Sequence, residues 1–282
     1  MKDTILAIDG IECGYKGGFH ICDLRLDVRR GDMVGIIGRN GSGKTTLMKA
    51  IAGDLAVMRG QILLEGVDLS EMSLRDKARK IAVVSQFVEI ADISVEDYVL
   101  MGRVPYRDRF QFADRSDDMA IARHYMKMTG IYHLRDSMMA CLSGGEQQMA
   151  SIASALSQEP TLLLLDEPTS HLDIAHQVRL MNLIKRLNTE LNLSVVMIIH
   201  DLNMASEYFN RLVLMNDGRI IVEGTAESVL TPDNIETAYG VRIVTGRNPL
   251  TDKIAVFSIL REYRYYLGNI LFHILKHTNC FF

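Results

Sequence analysis

Residues 33–46, MVGIIGRNGSGKTT, constrain this chain more than any other stretch. Residues 34–37 are a short apolar run that predicts a buried strand, and the residues from Lys44 onward (KTTLMKAIAG) predict a helix. Between them, Gly38-x4-Gly43-Lys44-Thr45 has the spacing of a phosphate-cradling loop. Gly38, Gly41 and Gly43 let the backbone curl so that successive N–H groups converge on phosphate oxygens. The helix behind the loop adds the positive end of its dipole. Arg39, Asn40 and Ser42 complete the loop and Thr46 follows it, while Lys44 can reach the outer phosphates and the Thr45 hydroxyl is placed to hold magnesium. With every motif position filled and both flanks right, this is a nucleotide site rather than a glycine-rich turn with a surface lysine.

Composition narrows the class. A chain of 282 residues suits one large α/β domain, or one domain carrying an inserted subdomain. Hydrophobic residues make up 48% and charged residues 23%, as in a globular protein, and the net charge of −4 lacks the basic face of a nucleic-acid binder. No nucleic-acid partner is therefore expected. No run approaches the ~18 apolar residues that span a bilayer. The opening MKDTILAIDG has acidic residues and no extended apolar core, unlike a secretion signal. Cys13, Cys22, Cys141 and Cys280 show neither metal-type pairing nor a disulfide framework, which predicts reduced thiols.

Along the chain, residues 5–8 and 21–28 read as two strands around the glycine-rich turn GYKGG, which carries Tyr15. Such an aromatic can stack on a base or simply pack. Residues 61–64 and 81–85 read as strands on either side of a charged helix at 74–80, and Gln86 ends the second strand, where α/β sheets place ligand-touching residues. From 87 to 140 helical patterns replace the alternation: 94–102, with a capping box at Ser94, then 114–129 and a turn near 131–134, with an arginine-rich link at 103–115 read as solvated surface. LSGGE at 142–146 opens a helix running to about 157. Ser143 is its N-cap, and Gly144 and Gly145 leave N–H groups exposed, a second anion-binding end. The apolar strand 161–165 ends in Asp166-Glu167, a carboxylate pair that needs a cation or a proton to handle. Asp166 suits magnesium, and Glu167 suits the polarising of an attacking water. Asp173 precedes a helix at 174–191, and the strand 193–199 ends at His200, on the same sheet edge as Gln86 and Asp166. A strand pair at 211–216 and 219–223 turns on Asp217-Gly218, and short helices are expected at 225–230 and 234–239.

Taken together, these residues resemble the ATP-binding subunit of an ABC transporter. LSGGE is that family's signature. Tyr15 corresponds to its adenine-stacking aromatic, Gln86 to its Q-loop glutamine, which with Thr45 and Asp166 meets the magnesium, LLLLDE at 162–167 to its Walker B strand, Ser170-His-Leu-Asp173 to its D-loop and His200 to its switch histidine. The resemblance implies an α/β fold: a P-loop NTPase core of mostly parallel sheet flanked by helices, an N-terminal antiparallel β subdomain, and a helical subdomain inserted at about 87–158. It implies ATP and Mg2+ as ligands, with ATP favoured because no guanine-reading Asn-Lys-x-Asp is present. A head-to-tail pair of copies is implied too, each ATP lying between one phosphate loop and the other copy's Ser143, Gly144, Gly145 and Asp173. The implied partners are integral-membrane permease subunits and, indirectly, a substrate-binding protein. The implied location is peripheral, on the cytoplasmic side of the membrane.

Residues 1 to about 250, through MGRVPYRDRF, HDLNMASEY and EGTAESVLTPDNIETAYGV, resemble importers of iron chelates, haem or cobalamin. The alternatives are a non-transport ABC ATPase and a weakly active regulatory subunit. Three positions depart from the family's pattern, since Gln147, Met149 and Ser154 stand where arginines are usual. Residues 251–282 fall outside the resemblance and read as an atypical extension. Seven aromatics lie between 257 and 282, and His273, His277 and Cys280 have loosely metal-like spacing.

Overall fold

The computed structural model describes residues 3–15, 17–86, 92–107, 116–170 and 172–259. Two sheets organise them. Strands β1 (Thr4–Gly14), β2 (His20–Arg29), β4 (Val57–Leu64) and β5 (Val67–Asp68) form an antiparallel sheet in the order β2-β1-β4-β5. Strands β3 (Met33–Ile37), β6 (Ile81–Val84), β7 (Leu162–Asp166), β8 (Ser194–Ile198), β9 (Arg211–Asn216) and β10 (Arg219–Gly224) form the second, in the order β10-β9-β3-β8-β7-β6. It is parallel apart from β10, which returns antiparallel to β9 through Asp217-Gly218.

The central strands read as unbroken apolar runs because both of their faces are covered. Met33, Ile37, Leu163, Leu165, Val195, Met197, Leu212 and Leu214 point into one core. The alternate residues Val34, Ile36, Leu162, Leu164, Val196, Ile198, Val213 and Met215 point into another. Helix α1 (Lys44–Ala52) and the antiparallel sheet build the second core. The first is built with α3 (Val95–Leu100), α4 (Ser116–Met128), α5 (Gly144–Ser157) and α6 (Ile174–Leu191). Helix α2 (Leu74–Lys80), by contrast, buries none of its residues. β2 alternates buried and exposed side chains, as a strand with one covered face should.

The inserted helical part holds together around a buried cation rather than a solvated link. Arg103 is 5% exposed. Its guanidinium donates to Asp118 at 2.8 Å, Glu159 at 2.8 Å and the Ser157 carbonyl at 2.7 Å, and stacks 4.0 Å over the Tyr106 ring. The reading of this link as surface is thus corrected at its first arginine. A guanidinium stays charged, so burying it requires such a full set of acceptors. Residues 108–115 lie outside the described residues. The helix expected at 94–102 also changes pitch, giving way after Leu100 to a 3-10 turn over Met101–Tyr106, where Pro105 removes a donor.

Two further elements were not expected. Helix α7 (Leu202–Tyr208) follows β8 directly, capped by Asp201, whose carboxylate accepts the Asn203 and Met204 N–H groups at 2.8 and 2.9 Å. After the short helices α8 (Ala226–Val229) and α9 (Pro232–Tyr239), strands β11 (Ile243–Arg247) and β12 (Ile254–Ser258) form an antiparallel hairpin. This hairpin straddles position 250, so the folded body does not break where the sequence suggested an extension. The Asn203 side chain pairs with the Val256 backbone in both directions, at 2.7 and 3.2 Å, and Glu207 accepts from Asn248 and Thr251. Tyr263, Tyr265, Tyr266, Phe272, His273, His277, Cys280, Phe281 and Phe282 lie outside the described residues.

Candidate nucleotide site

Parallel strands bring their carboxyl ends to one edge of the sheet, where α/β folds place ligands. Here β3 delivers the phosphate loop, β6 delivers Gln86, β7 delivers Asp166 and Glu167, and β8 delivers His200. Asn40, Gly41, Gly43, Lys44, Thr45, Thr46, Gln86, Glu167 and His200 line one 530 Å³ cleft together with Phe19.

The loop cannot accept side chains where its glycines stand. A Cβ on Gly38 would lie 2.3 Å from the Met215 carbonyl oxygen and 2.8 Å from Ser42 Oγ. Gly43 caps α1 with φ 103°, and no side chain caps that helix and no acid stands in its first turn. The N-terminal amides and the positive dipole end are left for a ligand. Lys44 is 5% exposed and spans the loop, donating to the carbonyls of Gly38 at 2.8 Å and Arg39 at 3.1 Å. Burial pulls its pKa down, while Glu167 and Asp166 push it back up. Ser42 Oγ is buried without a hydrogen-bond partner beneath the same loop, and Arg39 is exposed on its rim.

Across the cleft, Asp166 is half-buried behind the lining. Burial and the neighbouring Glu167 raise its pKa, and the Thr45 hydroxyl, Lys44 and Lys49 oppose the rise. Glu167 Oε1 lies 2.5 Å from His200 Nε2, and Ser170 Oγ donates to Glu167 Oε2 at 3.4 Å. Glu167 takes φ 50°, the left-handed region that a non-glycine residue rarely adopts. Its carboxylate is therefore aimed by a strained turn as well as by the Ser170 hydroxyl and the His200 ring.

The aromatic beside the loop is Phe19, whose ring atoms would meet a Cβ on Gly43 at 2.8 Å. Tyr15 stands outside the cleft lining, 45% exposed, with its N–H donated to the Phe19 carbonyl at 3.1 Å. Phe19 was missed because the sequence pointed to the tyrosine of the same turn. Its signal lay in its place just before β2, which runs past the loop. Ser143, Gly144, Gly145 and Asp173 also lie outside the lining. Ser143 caps α5 in a complete capping box with Glu146, and Asp173 caps α6 by accepting the His176 N–H at 2.8 Å.

The three usually basic positions of α5 are filled by side chains that hold the helix without charge. Gln147 donates to the carbonyls of Met139 and Leu142, both at 3.2 Å, and Ser154 Oγ donates to Tyr98 O at 3.2 Å. Met149 is buried in the core.

The residues fit a nucleotide with a magnesium ion. The loop supplies a glycine cradle, uncapped amides and a buried lysine; Thr45 and Asp166 carry oxygens that would hold the metal, which takes one or two protein oxygens and leaves the rest to phosphates and water. Among the described residues no three His, Cys, Asp or Glu side chains converge to hold a metal by themselves.

A family model described as "ABC transporter" matches residues 21–170. The chain is 38% identical over 243 residues to an uncharacterized ABC transporter ATP-binding protein of Methanocaldococcus jannaschii, covering 86% of this chain and 93% of that one. It is 34% identical to the ferric enterobactin transport ATP-binding protein of Escherichia coli K12, covering 89% and 93%. Among solved structures, a putative metal-chelate type ABC transporter in an inward-facing conformation superposes with TM-score 0.81 at 26% identity, covering 92% of this chain and 99% of that one. A dimeric ATP-binding cassette bound to ADP and Pi superposes with TM-score 0.69 at 25% identity, covering 78% and 98%. The phosphate loop, the LSGGE turn and the carboxylate pair at one sheet edge agree with these likenesses: the chain belongs to the ABC transporter family, as one of its ATP-binding, ATP-hydrolysing subunits.

Proposed function

We propose that this subunit powers an importer of a metal chelate or corrinoid-type cargo (an iron–siderophore complex, haem or cobalamin) from the cytoplasmic side of the membrane, as a head-to-tail pair docked on permease subunits. A substrate-binding protein would hand cargo to the permease. The observation that carries the reading is the single cleft holding Lys44, Thr45, Gln86, Glu167 and His200, with the LSGGE turn outside it. A chain with one phosphate loop and one signature turn, placed apart, supplies two half-sites. A second copy completes both.

In this reading the loop amides and Lys44 bind the β- and γ-phosphates, and Gly144 and Gly145 of the other copy approach the γ-phosphate from the far side. Thr45 and Asp166 would hold magnesium, whose charge offsets that of the phosphates, with Gln86 within the same cleft to report its arrival. Glu167 accepts a proton from the attacking water, and His200, with Nε2 2.5 Å from the Glu167 carboxylate, keeps the water and γ-phosphate in line. Asp173 faces the second copy beside the signature turn. Tyr15 or Phe19 covers the base.

In relation to the membrane, no helix among the described residues is long and apolar enough to cross one, so attachment through permease subunits is the reading proposed. The uncharged tethers made by Gln147 and Ser154 support an active subunit over a regulatory one.

Replacing Glu167 with Gln is expected to keep ATP binding and to reduce hydrolysis by about 100-fold or more. Full ATPase activity in that variant would remove Glu167 as the base. Co-purification with a permease, followed by uptake assays with iron–siderophore, haem and cobalamin, tests the cargo. Failure of all three would overturn the import reading.

A further inference from the structure

The signature turn and the stretch before α6 are joined by a contact that none of the assigned roles uses. Gly145 is buried, and a Cβ placed there would lie 2.5 Å from His176 Cδ2 and 3.1 Å from its Cγ and Nε2. Gly144, one residue away, would meet nothing within 4 Å. The glycine at 145 is thus required by the imidazole ring seated on it, whatever else its N–H does. The ring itself is pinned. His176 Nδ1 lies 2.9 Å from Asp173 Oδ1, the same oxygen that caps the His176 N–H.

Two positive helix ends meet here, which is costly unless acids stand between them. Glu146 and Asp173 are those acids, one from each helix, and His176 lies within the field of Glu146. Each helix is also laced to its own entrance by the same device. Gln147 ties α5 to the carbonyls of Met139 and Leu142, and Gln177 ties α6 to those of Thr169 and Leu172, at 3.2 and 3.1 Å. Across the two entrances, alongside the apolar packing of Leu142 and Leu172 on the common core, stands the His176–Gly145 contact. From there the chain leads back through Ser170 to Glu167.

We propose that His176 is a positioning residue: seated on Gly145 and held by Asp173, it locks the signature turn to the stretch before α6, so that both meet a second copy as one rigid surface. This rests on the head-to-tail reading given above. His176 touches no reacting atom in it; it sets where the signature amides stand when the pair closes.

The test uses the full chain carrying Glu167→Gln, so that bound ATP persists, and follows ATP-driven dimerisation by analytical ultracentrifugation. Adding His176→Ala is expected to leave ATP affinity of the monomer within about twofold while weakening dimerisation about tenfold. Gly145→Ala is expected to weaken it as much or more, because its Cβ meets the ring. Combining the two should recover part of that loss, since removing the ring frees the space. A folding defect would show instead as lost ATP affinity in the monomer, and that result overturns the positioning role. So does undiminished dimerisation with His176→Ala, or a double variant no better than Gly145→Ala alone. If the Glu167→Gln parent itself stays monomeric with ATP, the head-to-tail reading fails first and this proposal falls with it.

Discussion

Two helices of this chain begin in glycine-rich turns, and they begin in opposite ways. Helix α1 starts at a left-handed glycine with no side-chain cap and no acid in its first turn. Helix α5 starts at Ser143 in a capping box: Glu146 accepts the Ser143 N–H at 2.8 Å and the Ser143 hydroxyl at 2.7 Å. The first end is electrostatically open until an anion arrives. The second already carries an anion of its own, so in the proposed pair a phosphate reaches its remaining amides only by docking. The lesson is that glycine spacing marks both as candidate anion-binding ends, whereas the presence or absence of a cap tells them apart: the proposed reading has the first bind alone and the second in company.

The largest test of that contrast removes Lys44. Lys44→Ala is expected to weaken ATP binding by about 100-fold, the loss of charge-assisted bonds from a buried cation. Ser143→Ala should leave ATP affinity of the monomer unchanged, as read by equilibrium titration with a fluorescent ATP analogue. An equal loss from both would erase the distinction.

Ser143→Ala should appear in stability instead. Removing an N-cap costs about 1 kcal/mol, or a Tm lower by about 2–4 °C, measured by thermal unfolding without nucleotide. The capping bonds hold the Glu146 carboxyl below the usual carboxylate range. A depressed folded pKa stabilises above the unfolded value and is lost as pH falls through the folded one. The Ser143→Ala penalty should therefore shrink in acid.

The smallest effect has the opposite sign of pH dependence. Burial and Glu167 raise the Asp166 pKa, so its charge destabilises the nucleotide-free protein at neutral pH. As pH falls through that raised value the folded protein takes up the proton before the unfolded chain does, and stability is regained. Asp166→Asn should thus be the more stable protein at pH 7, with the advantage fading toward the unfolded carboxylate range. Denaturant titrations across pH read this directly, and an advantage that grew in acid would contradict the cause assigned.

Most of the frame was legible because it rests on patterns a single chain displays. Buried parallel strands show as apolar runs at Met33–Ile37, Leu162–Asp166 and Ser194–Ile198, and the residues just after them supply the phosphate loop, Glu167 and His200 to the cleft. What escaped depended on partners distant in sequence. Arg103 reads as surface until Asp118 and Glu159 are seen around it. The hairpin at Ile243–Arg247 and Ile254–Ser258 has short, half-exposed strands that Asn203, some 50 residues earlier, ties to α7, and its second strand lies past the point where the resemblance fades. Helix α7 is short and follows β8 without a turn, yet an Asp at a strand's end followed by Leu-Asn-Met-Ala is a helix start. Phe19 escaped for a different reason: one turn held two aromatics, and only packing against Gly43 tells them apart.

The left-handed turn at Glu167 has a practical consequence. A side chain there costs about 1 kcal/mol that glycine would not incur and asparagine would incur less of. A search for heat-resistant variants, scored by folding alone, would be drawn to this position. With Glu167 as the proposed base, it would return sturdy proteins that still take up ATP and no longer turn it over. On that reading durability and turnover compete at one residue, and a library meant to improve the first should keep 167 fixed.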